Sequence, residues 1–180
     1  DVTDKLPLAG LKVYDASQGV AGPYCSLLLA LNGAEVTKVE PPEGDWLRHL
    51  GKPVDGHSPH SWYLNRGKRG VVIDTRTSQG RAQALEMANE CDVFIASFRP
   101  GVVDRLGLSY EALSKSRPDI VHCLISGFGQ QGPLAQRPAV DGVLQAFTGW
   151  TSINQDAAGA PRTFPFYAVD MLAGMYAFQA

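Results

Sequence analysis

Three things are scarce in this sequence of 180 residues, and each absence removes a class of protein. There are only three cysteines, Cys25, Cys91 and Cys123, widely spaced and without a C-x-x-C pair, which argues against a disulfide framework and a thiolate metal site. No metal is expected, and a reducing, cytoplasmic compartment is the default, with organellar targeting left open. Long apolar runs are also missing: Leu27–Leu31 and Met171–Ala180 fall short of the ~18 residues that cross a bilayer, so no membrane partner is expected. Charge of one sign is missing too, since 16 Lys+Arg against 18 Asp+Glu leave −2. That is not the footprint of a nucleic-acid binder or a polybasic membrane-surface protein, and a small neutral or acidic partner fits better.

What is present is the composition of an ordinary globular core, 44% hydrophobic with neither repeats nor low-complexity tracts. The opening Asp1–Gly10 is too charged for a secretory signal. The run Asp170–Ala180 reads as a helix still apolar at its last residue, with no Gly or Pro stop, so a fragment of a longer chain is expected.

Between these ends the pattern alternates strand and helix. Leu11–Ala16 reads as a strand, Gln18–Pro23 as a turn, Tyr24–Leu31 as a helix closed by Asn32-Gly33, and Ala34–Glu40 as a second strand. Residues 11–40 thus form a β-loop-α-β unit of about 30 residues, which implies parallel pairing. Glu43–Arg69 reads as a long irregular loop holding three of the four histidines, and loops of that length tend to be functional. Further strands are expected at Val71–Asp74, Asp92–Phe98 and Ile120–Ser126. Helices are expected at Gln79–Asn89, Val102–Leu106 and Tyr110–Ser116, with Thr77-Ser78 and Ser109 as caps. The fold expected is α/β: a doubly wound, mostly parallel, Rossmann-like sheet with helices on both faces, binding its ligand at the carboxyl ends of the strands.

Several motifs compete for the site. Gly127–Gly132 matches G-x-G-x-x-G, yet Pro133 and Pro138 follow where a dinucleotide fingerprint needs a helix. His57 and His60, with His49 nearby, lack the ligands to complete a zinc spacing and read as solvated loop histidines. Cys25 reads as a small buried hydrophobe, with a nucleophile at a helix start as the sharper option. The basic run Asn65–Gly70, with Arg76, Arg99 and Arg105, suits phosphates if it is more than solvated surface. Asp170 lies between Tyr167-Ala-Val169 and Met171–Met175, an apolar setting that makes a carboxylate costly. It is either a helix N-cap or a carboxylate kept ionised there for nucleophilic work.

Taken in order, Leu8–Val13, Ala21-Gly22-Pro23, Gly33–Val36 with Lys38–Glu40, Asn65–Lys68, Asp92-Val93 with Phe98–Gly101, Arg105–Gly107 and Gly127–Gln130 with Gly132-Pro133 resemble the family III CoA-transferases. The resemblance covers nearly the whole chain. It implies that residues 1–180 are the N-terminal part of a larger CoA-binding α/β domain, with the remainder, including a smaller domain, outside this sequence, and that two subunits interlock as a homodimer. It also implies an enzyme that moves CoA from an acyl-CoA thioester to a small free carboxylic acid through covalent aspartyl intermediates, with no permanently bound cofactor. Asp170, followed by Gly174-Met175, matches the family's catalytic aspartate.

By the same resemblance the CoA-contacting positions are Val20, Ala21, Ile73, Arg76, Ser97, Phe98 and Arg105. Arg76 and Arg105 would pair with phosphates, and Ile73 and Phe98 would flank the adenine. Oxyanion donors are expected among the backbone N–H groups of Gln18–Gly22. Two alternatives stand beside this. An α-methylacyl-CoA racemase would share the scaffold, but Val140, preceding Asp141, occupies the place of its histidine and cannot transfer a proton. A catalytically silent CoA-binding protein would share the fold without the chemistry.

Overall fold

Short runs rich in β-branched and aromatic residues form five strands in the computed structural model, which describes residues 6–180; residues 1–5, the first half of the opening stretch weighed above as a signal, lie outside the described residues. The strands are Lys12–Asp15 (β1), Glu35–Glu40 (β2), Arg69–Val72 (β3), Val93–Ala96 (β4) and Val121–Leu124 (β5). They make one all-parallel sheet in the order β3-β2-β1-β4-β5. Among the described residues eight helices connect or flank them: Ala21–Leu31 (α1), Pro59–Asn65 (α2), Ser78–Asn89 (α3), Val102–Leu106 (α4), Tyr110–Leu113 (α5), Asp141–Phe147 (α6), Trp150–Ile153 (α7) and Ala168–Gln179 (α8).

Both faces of the sheet are covered, as the near-continuous apolar strands require. Tyr14, Ala16, Phe94 and Ala96 point to one face, where they pack with Ala84 and Ala88 of α3, Val103 of α4 and Leu113 of α5. Val13, Val36, Val93 and Ile95 point to the other, against Cys25 and Leu29 of α1 and Ala177 and Phe178 of α8. The expected doubly wound α/β architecture is the one found. Among the described residues no helix is long and apolar enough to cross a membrane.

Several boundaries differ from the sequence reading for local reasons. Helix α1 begins at Ala21 rather than Tyr24, because Gly22 and Pro23 fit its first turn, where backbone N–H groups have no partner within the helix. Strand β3 starts two residues before Val71 and ends at Val72, with the Ile73 N–H donating to the Glu40 carbonyl at 2.9 Å. The long loop is not irregular throughout. It holds a 3₁₀ turn at Trp46–His49 and helix α2, capped by the Ser58 hydroxyl, which bury Leu47 and Leu64 against Val20 and Leu27. Thr77 and Ser109 cap α3 and α5 as expected, although α5 stops at Leu113. Helices α6 and α7 have no counterpart in the sequence reading.

The strand order reverses between β1 and β4, and the chain leaves those neighbours toward opposite sides. In open parallel sheets that switch point is where a crevice opens beyond the strand ends.

Candidate functional site

Strand β1 ends at Asp15, and the chain turns through Ser17–Val20 into α1. What holds that turn is ionic. Asp15 is fully buried, accepts the Ser17 N–H at 3.0 Å and both the Ser17 and Ser26 hydroxyls, and pairs with Lys68 at 3.2 Å. Lys68 also donates to the Pro23 carbonyl at 2.9 Å and Asn65 at 3.0 Å. Lys38 stands opposite Asp15 in the β1–β2 register, pairs with buried Asp45 at 3.0 Å and donates to the Ser17 carbonyl. Asp45 accepts the N–H groups of Gly19 at 3.0 Å and Leu47 at 2.9 Å, while its own N–H donates at 2.7 Å to Glu40, which grips Arg48.

Burial alone would raise the Asp15 carboxyl, but Lys38, Lys68 and the two hydroxyls outweigh it and bring it below its ordinary value. Burial pulls Lys68 down to about 8 against the pull of Asp15. Lys68 is therefore a structural cation, which corrects its assignment to the phosphate-gripping basic run. Gly19 is required here for two reasons: its φ is +79°, and a Cβ would lie 2.2 Å from the Trp46 indole.

Above this base lies a cleft of about 750 Å³. Its floor is the β1 and β4 ends, with Gln18, Val20, Ala21, Ser97 and Phe98; its far wall comes from Val140, Asp141 and Gln145 of the α6 region, Phe164 and Tyr167, and Asp170 of α8. Helix α8 reaches the cleft because Gly174 lets it lie directly on α1: a Cβ there would be 2.4 Å from the Ala21 carbonyl oxygen.

Asp170 is half-buried in the third position of α8, so it is not the N-cap that the sequence left open. The cap comes from a distance: Asp141 accepts the N–H groups of Val169 at 2.8 Å and Asp170 at 3.0 Å. The Asp170 carboxylate accepts no hydrogen bond among the described residues. Burial, and secondarily the Asp141 charge, push its carboxyl up to about 6, opposite to the depression expected of a carboxylate at a helix start. The reason is that the helix's first donors are already satisfied, Ala168 by the Phe166 carbonyl and Val169 and Asp170 by Asp141. At neutral pH Asp170 is still largely ionised, more basic than an ordinary aspartate, and exposed to the cleft. Such a group can attack a carbonyl carbon.

The positions expected to bind CoA divide into three groups. Val20, Ala21, Ser97 and Phe98 line the same cleft as Asp170. Ser97 also braces the turn, its hydroxyl accepting the Gln18 N–H at 2.9 Å. Ile73 lines a smaller adjoining cavity of about 80 Å³, with Phe98, Pro41 and Thr75, on the β2–β3 side. Arg76 and Arg105 border neither cavity. Arg76 is exposed and held by Asp74 at 2.7 Å and Glu43 at 3.5 Å, and Arg105 is exposed with no ion pair among the described residues. Of the Gln18–Gly22 donors, Gln18 and Gly19 are already engaged by Ser97 and Asp45, which leaves Val20, Ala21 and Gly22 as candidates.

The other motifs resolve as well. Cys25 is buried and its thiol is pushed up to about 12, which excludes a thiolate nucleophile and leaves the buried hydrophobe. The Gly127–Gly132 loop leads into no helix before α6. Val140 does border the cleft, with a side chain that cannot transfer a proton. His60 corrects the reading of solvated histidines: it lines the cleft edge-on to Tyr167, its Nδ1 buried without a partner among the described residues. Asp141, Gln145, Trp46 and His60 were missed as site residues. An Asp and a Gln one turn apart, Asp141 and Gln145, were the available signal for the first two, given a helix there.

Comparison with known proteins gives a consistent answer. The family model for CoA-transferase family III matches residues 8–180. The chain is 37% identical over 177 residues to a probable fatty acyl-CoA transferase, Rv3272, of Mycobacterium tuberculosis, covering 97% of this chain and 45% of that protein. It is 36% identical over 183 residues to the human succinyl-CoA:glutarate CoA-transferase, covering 100% of this chain and 42% of that one. The crystal structure of a CAIB/BAIF family protein from Brucella suis superposes with a TM-score of 0.91 at 35% identity, over 97% of this chain and 47% of that one. The chain thus spans less than half the length of the relatives it matches.

Proposed function

Since the chain belongs to CoA-transferase family III, we propose that the whole protein transfers CoA from an acyl-CoA thioester to a free carboxylic acid through covalent intermediates on Asp170. The observation that carries this reading is the Asp170 carboxylate itself: half-buried, accepting no hydrogen bond among the described residues, raised to about 6, and set in a cleft at the β1/β4 switch point. Residues 1–180 are then the N-terminal part of the larger CoA-binding domain, completed by further chain and by the second subunit of an interlocked homodimer. A cytoplasmic site rests on the cysteine usage alone.

The steps follow from a carboxylate nucleophile. An Asp170 oxygen adds to the thioester carbonyl; the C–S bond breaks, CoA leaves as thiolate, and an acyl-aspartyl anhydride remains. The thiolate then attacks the aspartyl carbonyl, releasing the first acid and leaving an aspartyl-CoA thioester. The acceptor carboxylate attacks that thioester and expels CoA thiolate again. The thiolate takes the new acyl group from the second anhydride, which regenerates Asp170. Each addition places negative charge on a carbonyl oxygen, for which the N–H groups of Val20 and Ala21, residues that line the cleft at the α1 start, are candidate backbone donors.

Among CoA positions, Val20, Ala21, Ser97 and Phe98 would hold the pantetheine end near Asp170, and Ile73 with Phe98 the adenine in the adjoining cavity. Arg76 and Arg105 would meet phosphates from outside the two cavities, Arg76 by exchanging its bond to Asp74. The relatives' names span fatty acyl and dicarboxylate substrates, so the acids themselves are set by side chains that differ within the family.

The test is to incubate the full-length protein with acyl-CoA thioesters, quench with hydroxylamine and map peptides by mass spectrometry. A hydroxamate at Asp170, lost in Asp170→Asn, is the expected result, and its yield should fall as pH drops through about 6. CoA binding with Asp170 never modified would remove the covalent mechanism and leave a binding protein.

A further inference from the structure

Asp141 opens helix α6 and is 6% exposed, an expensive place for a carboxylate unless it is fully bonded. It is. One oxygen accepts the N–H groups of Val169 and Asp170, at 2.8 and 3.0 Å, and the other accepts from the Gln145 amide one turn along α6. Gln145 is 1% exposed; its Oε1 accepts the Phe164 N–H at 2.7 Å, and its Nε2 also reaches the Phe166 carbonyl at 3.3 Å. All four polar atoms of these two side chains are therefore bonded, and every bond outside the pair goes to the segment 164–170.

An acidic residue in the third position of a helix ordinarily folds its carboxylate back toward the unpaired N–H groups of the first turn. A carboxylate held that way is a poorer nucleophile, because the donors stabilise its charge. In α8 the cap position is Tyr167, which supplies no side-chain acceptor; the Ala168 N–H donates to the Phe166 carbonyl, and those of Val169 and Asp170 are taken by Asp141 from another helix.

We propose that Asp141, oriented by Gln145, is a positioning residue for Asp170: by capping α8 from outside, it leaves the Asp170 carboxylate unmasked and facing the cleft. The proposal rests on reading Asp170 as the nucleophile. A second effect follows from charge. The titratable groups bordering Asp170 or packed on its helix are Asp141 of α6, His60 of α2, Tyr24 and Cys25 of α1, and Tyr167. Of these only Asp141 adds a carboxylate charge, and it reinforces the rise that burial causes in Asp170. One neighbour thus sets the position of the nucleophile and adds to the basicity that burial gives it.

The test separates this role from a merely structural one. In the full-length protein, pH-difference infrared spectra report the protonated carboxyl band of Asp170, identified by its loss in Asp170→Asn. The wild-type midpoint is expected at about 6, and in Asp141→Asn it should fall by about one pH unit, with the acid limb of hydroxamate formation moving alongside. An unchanged midpoint in a folded Asp141→Asn protein overturns the proposal. Gln145→Leu covers the case in which that variant fails to fold. It keeps the Asp141 charge but frees its orientation, and should slow adduct formation about tenfold or more; a wild-type rate overturns the proposal. A band that depends on Asp141 in a protein forming no adduct with any thioester supports the capping arrangement and overturns the transferase reading instead.

Discussion

Two clusters of buried charge lie on either side of the first turn of α1, and they are built on opposite terms. Beneath it, Asp15, Lys38, Asp45 and Lys68 alternate in sign, and each carboxylate is bonded to a cation and to backbone or hydroxyl donors. Across the cleft, Asp141 and Asp170 have the same sign; one is fully bonded and the other accepts nothing among the described residues. Burial acts on every one of these carboxylates. The first cluster compensates it and the second leaves it standing on one residue. Neutralised charge is what a framework needs, whereas an uncompensated carboxylate in a cleft is the kind of group that the proposed chemistry requires.

The largest expected effect is on the compensated side. Lys68→Met removes the ion-pair partner of a fully buried Asp15, one of the two cations that compensate it, and empties the bonds to Pro23 and Asn65. Breaking a buried pair in this way costs about 3–5 kcal/mol, measurable as a lower denaturation midpoint. Pairing it with Asp15→Asn should recover part of that loss. If Lys68→Met proves nearly neutral, the cluster is not what holds the turn.

Gly174→Ala probes the contact joining the two regions. Its Cβ would lie 2.4 Å from the Ala21 carbonyl oxygen, a backbone atom, so α8 must move off α1. Overpacking of this kind costs about 2–3 kcal/mol. Because Asp170 lies one turn earlier on α8, adduct formation should fall by more than the loss of folded protein accounts for. A variant whose activity follows only its folded fraction would show that the helix crossing is structural.

The legibility of the two regions differed in the same way. Parallel strands, both-face covering and the caps Thr77 and Ser109 were readable because they depend on neighbours within a few residues. The place of Asp170 in the cleft was readable from its apolar flanks, and the role proposed for it rests on the motif around it. The ionic base was not: Lys68 meets Asp15 across 53 positions, and in the sequence it is one cation in a basic run. Nor was the cap on α8, since Asp141 reaches Asp170 across 29 positions from a helix the sequence reading lacked. His60 looked solvated for the same reason, because Tyr167 approaches it only once the segment before α8 folds back over the cleft.

The smallest effect is the most discriminating, because its sign is unusual for losing a charged group. In the unfolded chain Asp170 ionises near 3.8, and in the folded chain at about 6. Between those values the folded protein holds a proton that the unfolded chain has released, so stability falls as pH rises through the window, and the full cost is present above it. Asp170→Asn resembles the protonated form and escapes that cost. It should be more stable than wild type by about 2 kcal/mol at neutral pH, a figure reduced for the partial exposure of the group. The gain should shrink below about pH 6 and vanish below the unfolded value. Denaturant unfolding of both proteins at a series of pH values measures it. Equal stability at neutral pH would mean that the Asp170 carboxylate is as well compensated as Asp15, and the contrast between the two regions would disappear.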